Sequence, residues 1–246
     1  LNKKSIHALF SIACLVSGCG GGGGGSSSAT ATPPPVIKHA VVVAAYGDST
    51  VESLSLIDGS YQFTSPTVTQ LLQADLDDPL MTVQNDGDGG STSQDWLYGG
   101  NATGQVRRTI TQTWAQTMAA QPAKVIDITL GINDSGALKL SVAQFMANIE
   151  TMVLQAEAAG KVVILESPNA TNPPNDELGY FSLAEAAFCK TNGCIFVDQY
   201  YHMRSLANWE ALLSDGIHPT LAGYEMKAAY SASIIRPALE KLENAQ

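Results

Sequence analysis

The stretch AVVVAAYGDSTVES, residues 40–53, decides how this chain is read. Val41, Val42 and Val43 are followed by two alanines, so the run has no polar face. A β-branched run of that kind suits a strand buried on both sides in a parallel sheet. It ends at Ala45, and Gly47, Asp48, Ser49 and Thr50 then stand where such a strand reaches the edge of its sheet. Taken alone, a serine in this turn is more often a helix cap than a nucleophile. The Gly-x-Ser-x-Gly elbow does not decide the matter, because position 51 is valine and no other copy occurs in the chain.

Working outward, similar apolar runs recur at Met81–Gln84, Val125–Leu130, Val162–Glu166 and Ile195–Val197, beside the first at Ala40–Ala45. Between and after them lie segments with helical patterning. SPTVTQLLQADL is expected to start with Ser65 as N-cap and Pro66 at the first helical position. VRRTITQTWAQTMAAQ and SVAQFMANIETMVLQAEAAG follow, the latter closed by Gly160, and LAGYEMKAAYSASIIRPALEKLE ends the series. Strand and helix in alternation imply right-handed crossovers and a parallel sheet covered on both faces. The expectation is one α/β domain over residues 37–246, a three-layer α/β/α sandwich with five parallel strands. Ligands of such sheets sit beyond the carboxyl ends of the strands.

Three further turns at those ends are unusual. VQNDGDGGSTSQDW, residues 83–96, carries Gly87, Gly89 and Gly90, which let backbone approach a ligand closely. An EF-hand reading of Asp86 and Asp88 fails, since Gly90 and Leu97 occupy positions five and twelve. TLGINDSG, residues 129–136, offers the amide of Asn133, which by itself is an ordinary turn residue. SDGIHPTLAGY, residues 214–224, sets Asp215 and His218 three apart on one loop. A serine nucleophile needs a base, and the base needs an acid that fixes its tautomer. His7, His39 and His202 have no such setting.

In this order, GDST at 47–50, NDGDGGSTS at 85–93, GIND at 131–134 and DGIHP at 215–219 resemble the four motifs of the SGNH, or GDSL-type, hydrolases. The resemblance covers nearly all of the chain after residue 36. It implies a flavodoxin-like SGNH fold and a serine esterase that needs neither metal nor other cofactor. Carried over by position, Ser49 is the nucleophile, His218 the base and then acid, and Asp215 the orienter of His218. The oxyanion hole comprises the backbone N–H of Ser49, the backbone N–H of Gly90 and the side-chain amide of Asn133. Gly90 is preferred to Gly87 and Gly89 because Ser91, Thr92 and Ser93 follow it as polar residues do in the family. Asp48 is assigned to the turn.

The substrate expectation is a short-acyl or lipid ester, with Leu178, Tyr180 and Phe181 in the loop after the fourth strand as an apolar groove. The alternative is an acetyl group on a carbohydrate, with Trp96 and Tyr98 lining a shallow cleft. Both sets serve equally well as packing residues. A rival from another class is an idle glycan- or partner-binding protein on the same fold.

The amino-terminal segment points to export. Lys3 and Lys4 precede an apolar run from Ile6 to Val16, too short for a membrane span. Val16-Ser17-Gly18-Cys19 resembles a bacterial lipobox, so residues 1–18 are expected to be a lipoprotein signal peptide and Cys19 the lipidated residue. Residues 19–36 form a Gly/Ser/Pro-rich tether. Anchored by lipid, the protein is placed in the cell envelope. In an oxidising compartment Cys189 and Cys194 are expected to pair as a small disulfide, against two free thiols or half of a metal site. No CxxC motif or nearby histidine pair favours the metal. The formal net charge of −10 in 246 residues, without a basic stripe, argues against a nucleic-acid partner.

Overall fold

A computed structural model of the protein describes residues 38–245. The signal segment, Cys19 and the tether lie outside the described residues. β1 (Val41–Gly47) runs two residues past the expected Ala45, up to the GDST turn itself. It pairs in parallel with β4 (Met81–Asn85) on one side and β5 (Val125–Thr129) on the other. β6 (Val162–Glu166) and β7 (Ile195–Val197) extend the sheet, giving the order β4-β1-β5-β6-β7. The reversal of strand order at β1 opens a crevice beyond its carboxyl end, the place where doubly wound sheets bind ligands.

The period of two along β1 divides the core. Val41 and Val43 face α1 (Val68–Leu76) and α8 (Leu221–Glu243), against Leu72, Leu76, Ile235 and Leu239. Ala44 and Tyr46 face the other layer, α2 (Ser93–Tyr98), α3 (Trp114–Ala120), α5 (Val142–Ala158) and α6 (Asp176–Asn192). Trp96 and Trp114 pack edge-to-face on Tyr46 at 5.3 and 5.0 Å. The short helices α4 (Ile132–Gly136) and α7 (Gln199–Arg204) complete the α/β/α sandwich.

Several local expectations change. The first helix starts at Val68, capped by Thr67, whose hydroxyl accepts from Gln70 N while Gln70 returns a bond to Thr67 N. That reciprocal box satisfies two free donors, which Ser65 two residues upstream does not. α3 likewise begins only at Trp114, where Thr113 and Gln116 form the same box; the preceding residues 106–112 are irregular. No helix follows Ser49. The turn ends at Ser53, which has φ +71°, and the chain enters an antiparallel hairpin of β2 (Leu54–Ile57) and β3 (Ser60–Phe63). Asp58 and Gly59, both at positive φ, make its two-residue turn.

The presumed loop after the fourth strand is largely the helix α6. Leu178 and Phe181 are buried in the core, so they do not form a substrate groove. At the carboxyl end of α6, Cys189 and Cys194 are joined in a disulfide, Cα to Cα 4.7 Å, tying the helix to the start of β7.

Candidate active site

The turn after β1 is shaped by Asp48. Its Oδ1 accepts both the N–H and the hydroxyl of Thr50 at 2.9 Å, and the backbone of Val51 and Glu52 folds back onto the Asp48 carbonyl. Burial pushes the Asp48 carboxyl up, while the two Thr50 bonds pull it down. Ser49, 8% exposed, is thereby turned toward the sheet edge. Its Oγ lies 2.9 Å from His218 Nε2.

His218 arrives from the loop between a 3-10 turn (Trp209–Leu212) and α8. Its Nδ1 is 2.8 Å from Asp215 Oδ2. A proton on Nδ1 donated to the carboxylate leaves the Nε2 lone pair for the serine hydroxyl. The other carboxylate oxygen, Asp215 Oδ1, accepts the backbone N–H groups of Ile217 and His218 at 2.9 and 2.8 Å. Burial alone pushes Asp215 up, but the backbone and ring bonds of His218, then the Ile217 N–H, pull it down to about 2. Asp215 is thus a fixed anion beside the imidazole.

The loop is braced from outside. Asn169 Nδ2 donates to Ile217 O at 3.1 Å, and Asn172 N to Gly216 O at 2.7 Å. Gly216, at φ +86°, has Asn172 O 2.1 Å from where a Cβ would stand. Asn169 is fully buried and was not legible as a site residue, because a single asparagine in ESPNAT carries no pattern.

Among the three glycines of the second loop, Gly87 N–H donates to Asn85 Oδ1 and Gly89 N–H to Glu52 Oε2. The N–H groups of Gly90 and Ser49 have no partner among the described residues. Gly90 sits at φ +82° with Gln105 O 2.3 Å from a would-be Cβ, so glycine is required there. Asn133 donates one amide hydrogen to Ser91 O at 2.9 Å, and the side chain lines the same cleft as Ser49, Gly90 and His218. Below it, Asp134 Oδ1 takes the Ser93 hydroxyl and N–H, locking the GIND turn to the glycine loop.

The cleft measures about 490 Å³ and is open to solvent. Leu54, Ile132, Ala137 and Ile217 give it an apolar side; Gln105 and Arg107 give it a polar one. Neither aromatic set expected from the sequence lines it. Trp96 is buried and donates to Ser91 Oγ, Tyr98 is exposed elsewhere, and Tyr180 borders a separate depression with Tyr200, Tyr201 and Arg204. These four loops, each at a strand end or leading into α8, match a known family. The GDSL-like Lipase/Acylhydrolase model covers residues 45–226.

The chain belongs to the GDSL-like lipase/acylhydrolase family.

The fold agrees with that of solved GDSL and esterase structures. The inhibitor-bound aryl esterase of M. smegmatis is 17% identical, with a TM-score of 0.65 over 80% of this chain and 99% of that one. A carbohydrate acetylesterase from Sinorhizobium meliloti is 14% identical, TM-score 0.63, over 82% and 99%. The lipase/acylhydrolase of Enterococcus faecalis is 20% identical, TM-score 0.62, over 80% and 96%. At these identities the likeness concerns the fold. No curated protein sequence matches the chain. As a GDSL hydrolase the protein is a carboxylic ester hydrolase, which sets aside the idle-binder reading.

Proposed function

We propose that this GDSL hydrolase is a serine esterase that works through an acyl-enzyme on Ser49. The observation that carries the reading is the unbroken chain Ser49 Oγ to His218 Nε2, 2.9 Å, and His218 Nδ1 to Asp215 Oδ2, 2.8 Å. Ser49 Oγ attacks the ester carbonyl as its proton passes to His218 Nε2. The imidazolium then gives that proton to the leaving alkoxide as the C–O bond breaks, and water enters by the reverse sequence. The carbonyl oxygen, negative in the tetrahedral intermediate, is received by Ser49 N–H, Gly90 N–H and the Asn133 amide. Asp215 remains ionised throughout and stabilises the imidazolium.

The substrate proposed is a short-acyl carboxylic ester. An open cleft whose apolar side consists of four small or medium side chains favours a short acyl group over a long lipid chain. A second reading, removal of acetyl groups from a carbohydrate, rests on the polar side of the same cleft, Gln105 and Arg107. Purified protein is expected to hydrolyse p-nitrophenyl acetate, and Ser49→Ala to lower kcat by at least about 10⁴-fold while remaining folded. Equal turnover by that variant would sink the mechanism. A series from acetate to long-chain p-nitrophenyl esters, run beside acetylated sugars, separates the substrate readings.

We further propose export and lipid anchoring at Cys19, on the lysine pair, apolar run and small-residue cleavage site of residues 1–19. The Cys189–Cys194 disulfide supports an oxidising compartment. Mass spectrometry of the mature amino terminus tests this; cleavage elsewhere, or an unmodified Cys19, contradicts it.

A further inference from the structure

The hairpin β2–β3 lies outside the five-stranded sheet, and every residue of β3 is exposed. A lone two-stranded hairpin is marginally stable at best, so its position must come from what it is fastened to. It is fastened to the loop that bears the acid and base. Leu56 N donates to Ser214 Oγ at 2.9 Å, and that hydroxyl donates on to His218 O at 3.0 Å. The hydroxyl of Tyr224 on α8 donates to Leu54 O at 2.7 Å. Tyr61 stands opposite Leu56 in the hairpin register. Its hydroxyl donates to Asp215 Oδ2 at 3.0 Å, the same oxygen that receives His218 Nδ1. Its ring meets the imidazole edge-on, with centroids 5.5 Å apart.

We propose that Tyr61 is a positioning residue of the acid–base pair, setting through Asp215 the basicity of His218 and through ring contact its orientation. The proposal rests on the assignment of Ser49, His218 and Asp215 as the catalytic groups. At 58% exposure Tyr61 is not held there by burial. A hydroxyl of the rim bonded to a carboxylate that already has three other donors is a specific arrangement. The bond draws on the charge of Oδ2, the very oxygen that faces the imidazole, and so weakens its hold on a protonated ring. Without it, the carboxylate would hold a protonated ring more firmly. The Asp215 carboxylate in turn pushes the Tyr61 hydroxyl up, so the donor keeps its proton through the working range. The other charged or titratable groups around the pair are Asp48 on the Ser49 turn, Glu52 and Arg107 paired at the cleft wall, and Tyr224 on α8. None of them donates a hydrogen bond to Asp215.

The experiment is the pH profile of kcat and kcat/KM with p-nitrophenyl acetate for wild type, Tyr61→Phe, Tyr61→Ala and Ser49→Ala. Tyr61→Phe keeps the ring and removes the donor. Its acidic limb is expected to move to higher pH by about 0.5 unit, with plateau kcat within about two-fold of wild type. Tyr61→Ala also removes the ring contact and is expected to lower plateau kcat a further three- to ten-fold or roughly that, with KM little changed. An acidic limb that stays in place or moves to lower pH in Tyr61→Phe, while Ser49→Ala is inactive, overturns the positioning role and leaves the triad standing. Full activity in Ser49→Ala overturns both.

Discussion

Asn133 uses one amide hydrogen to hold Ser91 O and lies at the cleft wall beside Ser49 and His218. On this account the second hydrogen bonds the developing oxyanion, an interaction stronger in the transition state than in the bound ester. Asn133→Ala is therefore expected to lower kcat by about 10²- to 10³-fold with little change in KM, read from steady-state kinetics. A rise in KM at constant kcat would instead make Asn133 an ordinary binding residue. Gly90→Ala is expected to be worse, because its added methyl meets Gln105 O and forces a backbone shift at φ +82° that carries the N–H donor out of place. At this scale the contact between Asp215 and His218 was readable because the two share one loop and their spacing is local. The hydroxyl of Tyr61 and the amide of Asn169 were not, since both reach that loop from elements 154 and 48 residues away.

Elements were legible where their apolar pattern is clean. α8 spans the residues expected, and α5 ends against Gly160 as expected. α6 was hidden because its buried positions include Gly179, Ser182 and Glu185, which dilute the apolar stripe. The hairpin has a local signal, Asp58-Gly59 as a two-residue turn between LSLI and SYQF, but strands of four residues are too short to show a clear alternation. The disulfide at the end of α6 closes a loop with a sequence separation of 5. The double variant Cys189→Ala, Cys194→Ala is expected to lose about 2 kcal/mol of stability in urea unfolding, from loop-closure entropy. Its esterase rate should be unchanged, since neither cysteine lines the cleft. A large fall in kcat without a fall in stability would place the disulfide in the chemistry.

Across the whole molecule, the parallel order β4-β1-β5-β6-β7 gathers the four sequence-distant loops at one edge, so the fold itself does the assembling. One group of charged residues is buried beneath those loops. Asp127, Glu166 and Lys227 are buried together along a small cavity of about 30 Å³ beside the Ser49 turn. Burial pushes Lys227 down, while Glu166, Asp48 and Asp127 hold it up. Lys227→Met leaves those carboxylates uncompensated and is expected to cost roughly 3–5 kcal/mol in denaturant unfolding.

A second buried carboxyl gives a pH dependence with a defined sign. Burial pushes Asp134 up to about 6, against the pull of the Ser93 hydroxyl and N–H. The folded state therefore binds this proton more tightly than the unfolded chain does. That contribution is full below about pH 4 and is lost as pH rises through 6. Asp134→Asn should match wild type most closely at low pH, and gain on the order of 3 kcal/mol relative to it by neutral pH. Urea midpoints at pH 4 and pH 7.5 measure the difference, and parallel curves would contradict it.

The central claim is that Ser49 is the residue that becomes acylated. A p-nitrophenyl alkylphosphonate reports on this directly, because it phosphonylates an activated serine and the adduct is not turned over. Digestion and mass spectrometry of treated protein should place one phosphonyl group on Ser49, with esterase activity lost in proportion. His218→Ala should label far more slowly, because the base that activates the hydroxyl is gone. Labelling at another residue, or inactivation with Ser49 unmodified, would contradict the account.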